Sequence, residues 1–93
     1  MKHYIIVKFK KDFDYRAIKA PVEALFRQTL SIEGIHDVEV RLSNSERANR
    51  FDMMILIHMD PEALPAYDAS EPHHQWKAQY GPQIAAKTIF DCD

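Results

Sequence analysis

This 93-residue chain has only one cysteine, no long apolar run and no large surplus of charge of either sign. The lone cysteine, Cys92, excludes an intramolecular disulfide and a zinc site built on cysteines. The longest apolar run near the N-terminus, Tyr4 to Val7, is far too short for a signal-peptide core or a membrane span. We therefore expect a cytoplasmic protein with no membrane contact.

The charges are nearly balanced, with 12 basic and 14 acidic residues and a formal net charge of -2. Such a chain has no general electrostatic reason to bind nucleic acid. Apolar residues make up 46% and charged residues 28%, which is typical of a folded globular protein. The length fits a single domain over residues 1–93.

Strands are predicted where apolar, aromatic and β-branched residues alternate or cluster. The predicted strands are 3–9, 36–43, 51–59 and 84–91. In the first, His3, Ile5, Val7 and Phe9 would share one face. The third strand is apolar at nearly every position, which indicates a central strand covered on both faces.

Apolar residues at helical spacing predict an amphipathic helix from about residue 14 to 30, with Asp14 as its N-cap. Pro21 lacks an amide hydrogen, so either the helix kinks there or its regular part begins there. We favour one kinked helix. A second, broken helix is predicted over 60–68 and 70–80, because Asp60-Pro61-Glu62 and Ser70-Glu71-Pro72 both resemble helix starts.

The resulting order, β-α-β-β-α-β, predicts an α+β, ferredoxin-like fold with a four-stranded antiparallel sheet and helices on one face. The first and third strands are apolar on both faces of the sheet. The helices can cover only one of these two faces. The open face therefore needs a partner, and a second copy of the same chain is the simplest one. We predict a homodimer.

Short motifs are spread along the chain in a recognisable order. They are the strand at 2–10, the polar loop before Phe51-Asp52, the run Pro61-Glu62-Ala63-Leu64, the segment Glu71-Pro72-His73-His74 and the closing Ile89-Phe90-Asp91. In this order they resemble the stress-responsive dimeric α/β-barrel (Dabb) domain family, whose His-Pro-x-His element is similar to the segment at 71–74. The resemblance implies a homodimer whose two sheets close into a barrel, with a pocket in each subunit between sheet and helices.

The resemblance also implies candidate site residues. A plant member of the family is a polyketide cyclase that works without a cofactor, and related barrels are cofactor-free monooxygenases and haem-degrading enzymes. The strand histidine of the cyclase falls on His3, and the second histidine of its helix motif falls on His74. The first motif histidine is Glu71 here, which is a departure. The catalytic tyrosine falls on Asp68, with Tyr67 one position earlier.

His3 and His74 are expected to approach each other across this pocket. An imidazole pair in an apolar pocket can act as general base and orienter, because imidazole titrates near neutral pH. In the structural interpretation, His3 lies at the rim of the sheet and His74 fills a gap in the core. We take His74, His3 and Tyr67 as candidate catalytic residues.

The aromatic residues of the broken helix offer a second feature. Trp76, Tyr80 and Tyr67 would form a wall for a flat ligand, or simply the core face of the helix. We take Trp76, Tyr80, Asp68 and Glu71 as candidate ligand-binding residues for a small, partly apolar molecule.

The five histidines do not have metal-binding spacing. His73 and His74 are adjacent and point about 100° apart on a helix, so they would not clamp one ion. The one conceivable set combines His3 and His74 with Glu71 or Asp68. We predict no metal and no cofactor.

RNA-recognition domains share the same element order, but they present aromatic residues on their sheet within a basic surface. Neither face of the third strand has such a platform. Three functions follow: a Dabb-type homodimer that binds a small molecule, a cofactor-free cyclase, lyase or monooxygenase, and a structural dimer with no ligand.

Overall fold

The computed structural model describes residues 1–93, and its strands lie where sequence alternation predicted them. They form one antiparallel sheet in the order β2-β3-β1-β4. The strand bounds are β1 Lys2–Phe9, β2 Ile35–Leu42, β3 Met53–Met59 and β4 Ile84–Cys92. Strand β3 begins two residues later than predicted, because Phe51 and Asp52 belong to the preceding loop.

The first helical segment is less regular than predicted. An α-helix, α1, covers only Lys19–Arg27, with 3-10 turns at Tyr15–Ile18 and Gln28–Ser31. Pro21 lies in the first turn of α1, so the interpretation of one kinked helix is wrong and the alternative start near Pro21 is correct. A proline fits there because the first amide groups of a helix have no intrahelical acceptor. Asp14 makes no capping hydrogen bond.

The second helical segment is broken, as predicted. It consists of a 3-10 turn at Pro61–Ala63, helix α2 at Leu64–Asp68 and helix α3 at Glu71–Tyr80. Ser70 caps α3, because its side-chain oxygen accepts a hydrogen bond from the backbone N–H of His73 at 3.4 Å. Helix α3 and the 3-10 turn that precedes α2 therefore start where the sequence placed their proline and acidic residues, whereas α2 itself begins three residues later, at Leu64.

Gly34 fixes the approach of this helical segment to the sheet. Its φ of +90° is disfavoured for residues with a side chain, and an added Cβ would lie 3.0 Å from the Cβ of Ala63. Its carbonyl oxygen also accepts a hydrogen bond from the Asp60 N–H at 2.7 Å. The glycine thus allows the turn before β2 and the start of the 3-10 turn at Pro61 to pack closely.

The core lies between the sheet and its helices. Helix α1 buries Val22, Leu25 and Phe26. The Phe26 ring meets the Trp76 ring of α3 edge to face, with 5.2 Å between the ring centroids. On the sheet, His3, Ile5, Val7 and Phe9 all point inward and are buried, as the alternation predicted. No helix combines the length and the apolar character needed to span a lipid bilayer.

The opposite face of the sheet has no helix over it. Its central apolar residues are Tyr4, Ile6, Met54, Leu56 and Phe90. Phe90 is 59% exposed, and its ring lies 6.3 Å from that of Tyr4. We call this surface the open face. It is the surface that the sequence predicted to need a partner.

Candidate functional site

A cavity of about 360 Å³ lies between the helical segment α2–α3 and the inner face of β1 and β4. Its apolar wall is formed by Ile5, Leu64, Trp76 and Ile89. Its polar residues are His3, Tyr67, Asp68, His73, Lys77, Lys87 and Asp91. The cavity exists because helix α1 packs on β2, whereas no helix packs closely on β4, whose inward side chains are exposed.

His3 is held at the cavity by a partner on the neighbouring strand. His3 and Asp91 are register partners in β1 and β4, and Nδ1 of His3 lies 2.5 Å from Oδ1 of Asp91. An ionised carboxylate only accepts hydrogen bonds, so Nδ1 is the donor. In neutral His3 the lone pair is then on Nε2, the atom that can act as a base. His3 itself is only 6% exposed.

Tyr67 is buried to 1% exposure, and its hydroxyl has no hydrogen-bond partner in the chain. Its ring contacts the His3 ring edge to face, at 5.5 Å between centroids, and lies 4.8 Å from the His73 ring. Burial, followed by the nearby Asp68 carboxylate, raises the pKa of the Tyr67 phenol well above its usual value near 10. The hydroxyl therefore stays protonated at neutral pH and is available as a hydrogen-bond donor.

His73 is the second imidazole of the cavity. Its Nδ1 lies 2.8 Å from the backbone carbonyl oxygen of Asp68, which can only accept, so Nδ1 donates. The break between α2 and α3 leaves this carbonyl available, since Asp68 is the last residue of α2. As in His3, the neutral ring then carries its lone pair on Nε2. Both histidines are thus held in the same tautomer by fixed acceptors.

The structure brings together only part of the predicted site. Residues His3, Tyr67, Asp68 and Trp76 line the cavity. His74 and Glu71 are exposed and do not line it, and Tyr80 is buried in the core with its ring 5.5 Å from that of Trp76. The expected approach of His74 to His3 is therefore not found, because His73 occupies that place.

Helix geometry explains why His73, and not His74, lines the cavity. Residues 73, 76, 77 and 80 fall on one helical face, and Trp76 and Tyr80 of this set are buried. His74 points about 100° away from His73 and faces solvent. The spacing to Trp76 was the signal in the sequence that would have selected His73. Asp91, Lys77 and Lys87 were also missed, because their place depends on strand pairing and helix packing.

A different polar cluster lies at the edge of the open face. Potential ligand atoms of Asp37, Glu39 and His58 lie within 4.8 Å of one another. However, Glu39 already accepts from His58 Nε2 at 2.8 Å and from Arg41 at 3.0 Å. The guanidinium charge of Arg41 opposes a cation here, so an internal ion-pair network accounts for the cluster.

The sequence matches no protein family model. It matches no curated protein either. Solved structures, in contrast, share its fold. A dimeric ferredoxin-like protein of unknown function from Thermobifida fusca has a TM-score of 0.78 at 14% identity, over 96% of this chain and 85% of that one.

Two further structures are informative. A Dabb family protein with a ferredoxin-like fold from Mesorhizobium loti gives a TM-score of 0.70 at 14% identity, over 99% of this chain and 93% of that one. The hydroxynitrile lyase of Passiflora edulis gives 0.71 at 12% identity, over 96% and 87%. The ferredoxin-like fold is therefore confirmed, and the structural neighbours include a Dabb family protein, as the motifs predicted.

Proposed function

We propose that this chain forms a Dabb-like homodimer that binds a small, partly apolar molecule in the cavity between its sheet and helices. The observation that carries the proposal is the buried Tyr67 hydroxyl, which has no hydrogen-bond partner in the chain although its residue lines the cavity. Leaving a buried hydroxyl unpaired costs about 1–3 kcal/mol. An oxygen of a bound ligand would remove that cost by accepting its hydrogen bond.

The size and lining of the cavity support the same conclusion. A volume of about 360 Å³ lies within the range of small-molecule sites, which is roughly 300–1,000 Å³. Trp76, Ile5, Leu64 and Ile89 offer an apolar surface, and His3, Tyr67 and His73 are among the polar residues beside it. This combination suits a ligand with an apolar body and at least one oxygen acceptor.

The binding test uses 6-hydroxy-2-naphthamide, a neutral aromatic probe with acceptor oxygens, followed by ¹H–¹⁵N NMR. We expect saturable shifts at amides around His3 and Tyr67. Tyr67→Phe should weaken binding about tenfold, which corresponds to one lost hydrogen bond. Tyr15→Phe is the matched control, since Tyr15 stacks on Phe9 outside the cavity and should bind as the wild type does. Absence of saturable shifts would favour the purely structural dimer.

The homodimer is proposed because of the open face. Tyr4, Ile6, Met54 and Phe90 form an apolar centre that a single chain leaves in contact with water. The edge of this face carries both signs of charge, with Glu39 beside Arg41. Two copies related by a two-fold axis would bury the apolar centres against each other and close the two sheets into a barrel. Apolar burial at about 25 cal/mol per Å² then opposes the entropy cost of association.

Neighbouring residues of β4 provide a sharp test of the dimer. Phe90 points to the open face and Ile89 to the cavity, and they are 59% and 47% exposed. Sedimentation equilibrium should give a dimer for the wild type and for Ile89→Asp, but a monomer for Phe90→Asp at micromolar concentration. A wild-type mass of 10.9 kDa under the same conditions would contradict the proposal.

A second candidate function is cofactor-free proton transfer, and the His3–Asp91 pair is the observation that favours it. Nε2 of His3 would accept a proton from a substrate hydroxyl or carbon acid, while the Tyr67 hydroxyl would donate a hydrogen bond to a substrate oxygen. His73 would supply a second imidazole at the same cavity. Cyclase, lyase and monooxygenase reactions of this type all begin with such a step.

The catalytic test uses mandelonitrile, a hydroxynitrile chosen because one structural neighbour is a hydroxynitrile lyase. Nε2 of His3 takes the hydroxyl proton, and the freed oxygen electron pair forms the carbonyl bond of benzaldehyde as the bond to the nitrile carbon breaks. Cyanide leaves with the electron pair of that bond and takes the proton back from His3, which gives hydrogen cyanide. His3→Gln should lower kcat about 100-fold, and His73→Gln should lower it as well. His74→Gln is the matched control and should keep wild-type turnover, because His74 lies outside the cavity. A wild-type rate equal to that of buffer, with mandelonitrile and with a reactive polyketide, would exclude this candidate and leave the binding proposal standing.

A further inference from the structure

Two lysines lie on opposite walls of the cavity. Lys77 belongs to α3 and Lys87 to β4, and both side chains line the cavity. Neither lysine forms an ion pair with a carboxylate of the chain. Of the two acidic residues in the cavity, Asp91 is already engaged with His3. The other, Asp68, forms no ion pair with either lysine, and both lysine side chains are exposed to solvent, so no contacting carboxylate neutralises either ammonium charge.

The lysines lie away from the His3 end of the cavity. On β4, Lys87, Ile89 and Asp91 follow one another on the inner face, and Lys87 is paired with Val7 where Asp91 is paired with His3. Lys87 lies four positions before Asp91 on the strand, which places their Cα atoms about 13 Å apart. On α3, Lys77 is one turn beyond His73, about 6 Å along the helix axis.

The cavity thus has two chemically different polar regions with an apolar surface between them. One contains the Tyr67 hydroxyl, which lacks an acceptor, together with His3 and His73. The other contains the two ammonium groups. Trp76 and Ile89 lie between them in sequence, on α3 and β4 respectively. A neutral apolar ligand would leave both ammonium groups to solvent, whereas an anionic ligand could contact them.

We propose that the ligand of this cavity carries an anionic oxygen group, a carboxylate or a phosphate, which Lys77 and Lys87 bind at the end of the cavity away from Tyr67. The inference rests on the proposed small-molecule function and narrows its ligand class. Lysine ammonium groups suit such a group, because they donate charge-assisted hydrogen bonds to anionic oxygens. The other end of the ligand presents an acceptor to the Tyr67 hydroxyl.

The test compares 6-hydroxy-2-naphthoate with the neutral 6-hydroxy-2-naphthamide, which has the same shape. The carboxylate should bind at least about tenfold more tightly, since two charge-assisted contacts are gained. A parallel titration with 2-naphthyl phosphate, read against 2-naphthoate, shows which anion class the lysines prefer. A preference for phosphate or for carboxylate supports the proposal, provided that the preferred anion binds more tightly than the neutral amide.

Lysine variants locate the effect. Lys77→Gln and Lys87→Gln should each weaken carboxylate binding about three- to tenfold and leave amide binding unchanged. Lys11→Gln removes the same charge from an exposed turn outside this cavity and should change neither. Salt should weaken binding of the carboxylate but not of the amide.

The outcomes separate the two proposals. Equal affinities for acid and amide, with shifts at the cavity, would overturn the anion subsite and leave small-molecule binding intact. Equal losses for Lys77→Gln and Lys11→Gln would also overturn it, because net charge alone would then explain the preference. Absence of cavity shifts with every probe would overturn both.

Discussion

One row of side chains crosses the inner face of the sheet, and its two ends differ in burial. Ile55 and Ile89 are both register partners of Ile5, on opposite sides of β1. Ile55 is 0% exposed and Ile5 2%, whereas Ile89 is 47% exposed. The residue type, the face and the register are the same, but Ile55 lies on a central strand under the helices, whereas Ile89 lies on the edge strand β4 with no helix above it.

The helices account for the difference. Helix α1 packs on β2 and against α3, so the inner faces of β2, β3 and β1 are covered. Strand β4 has no such cover, and the space above it is the cavity. The comparison shows that one sheet face serves two purposes: its covered part stabilises the fold, and its uncovered part forms the candidate site.

The largest expected effect is the loss of the covered isoleucine. Ile55→Ala should lower the free energy of unfolding by about 2–5 kcal/mol, because it leaves a cavity in a closely packed core. Urea unfolding at fixed protein concentration measures it, since a dimer's stability depends on concentration. Ile55→Val, expected to cost about 0.5–1.5 kcal/mol, keeps the comparison measurable if the alanine variant fails to fold. A cost for Ile55→Ala below that of Ile89→Ala would contradict the burial pattern.

The second-largest expected effect is a loss of stability at high pH. It involves Tyr67, which is buried beside the cavity, between the covered and the uncovered part of the sheet face. Its pKa is raised in the folded protein, so above pH 10 the unfolded chain loses a proton that the folded chain keeps. Stability from this group is therefore complete below about pH 10 and is lost as pH rises further, by up to about 1.4 kcal/mol per pH unit. Urea unfolding from pH 8 to 11 should show a steeper loss for wild type than for Tyr67→Phe. Parallel curves for the two proteins would be inconsistent with a buried phenol.

At neutral pH, Tyr67→Phe is expected to change the free energy of unfolding only slightly, and in the stabilising direction. Tyr67→Phe removes a hydroxyl that has no partner, so the free energy of unfolding should stay constant or rise by up to about 1 kcal/mol. If the Tyr67 hydroxyl did form a hydrogen bond, its removal would instead destabilise the protein. Thermal unfolding of the unliganded protein distinguishes the two, with Tyr15→Phe as reference.

The smallest effect is expected at the uncovered end of the row. Ile89→Ala should change the free energy of unfolding by only about 0.5 kcal/mol, because the side chain is already 47% exposed. The same variant should still weaken binding of 6-hydroxy-2-naphthamide, since Ile89 lines the cavity. A loss comparable with that of Ile55→Ala would mean that β4 is covered in solution, for example by a partner subunit.

The candidate site was predictable in part. His3 was proposed from the family resemblance, and strand alternation assigned it to the inner face. Tyr67 and Asp68 were also taken from the resemblance, and Trp76 from the aromatic residues of the broken helix; all three line the cavity. His74 was chosen over His73 from a motif resemblance, and the helical face shared with Trp76 shows that His73 is the cavity residue.

The sequence by itself determined the order of the elements, the strand faces and the starts of the short helices, because periodicity, prolines and capping residues act within a few positions. Only the tertiary structure decided that Asp91 meets His3, that Lys77 and Lys87 share a cavity, and that the helices leave β4 uncovered. The physical reason is the distance along the chain over which the interactions act. Strand register and helix placement bring together residues as far apart as 3 and 91, and both follow from packing of the whole core.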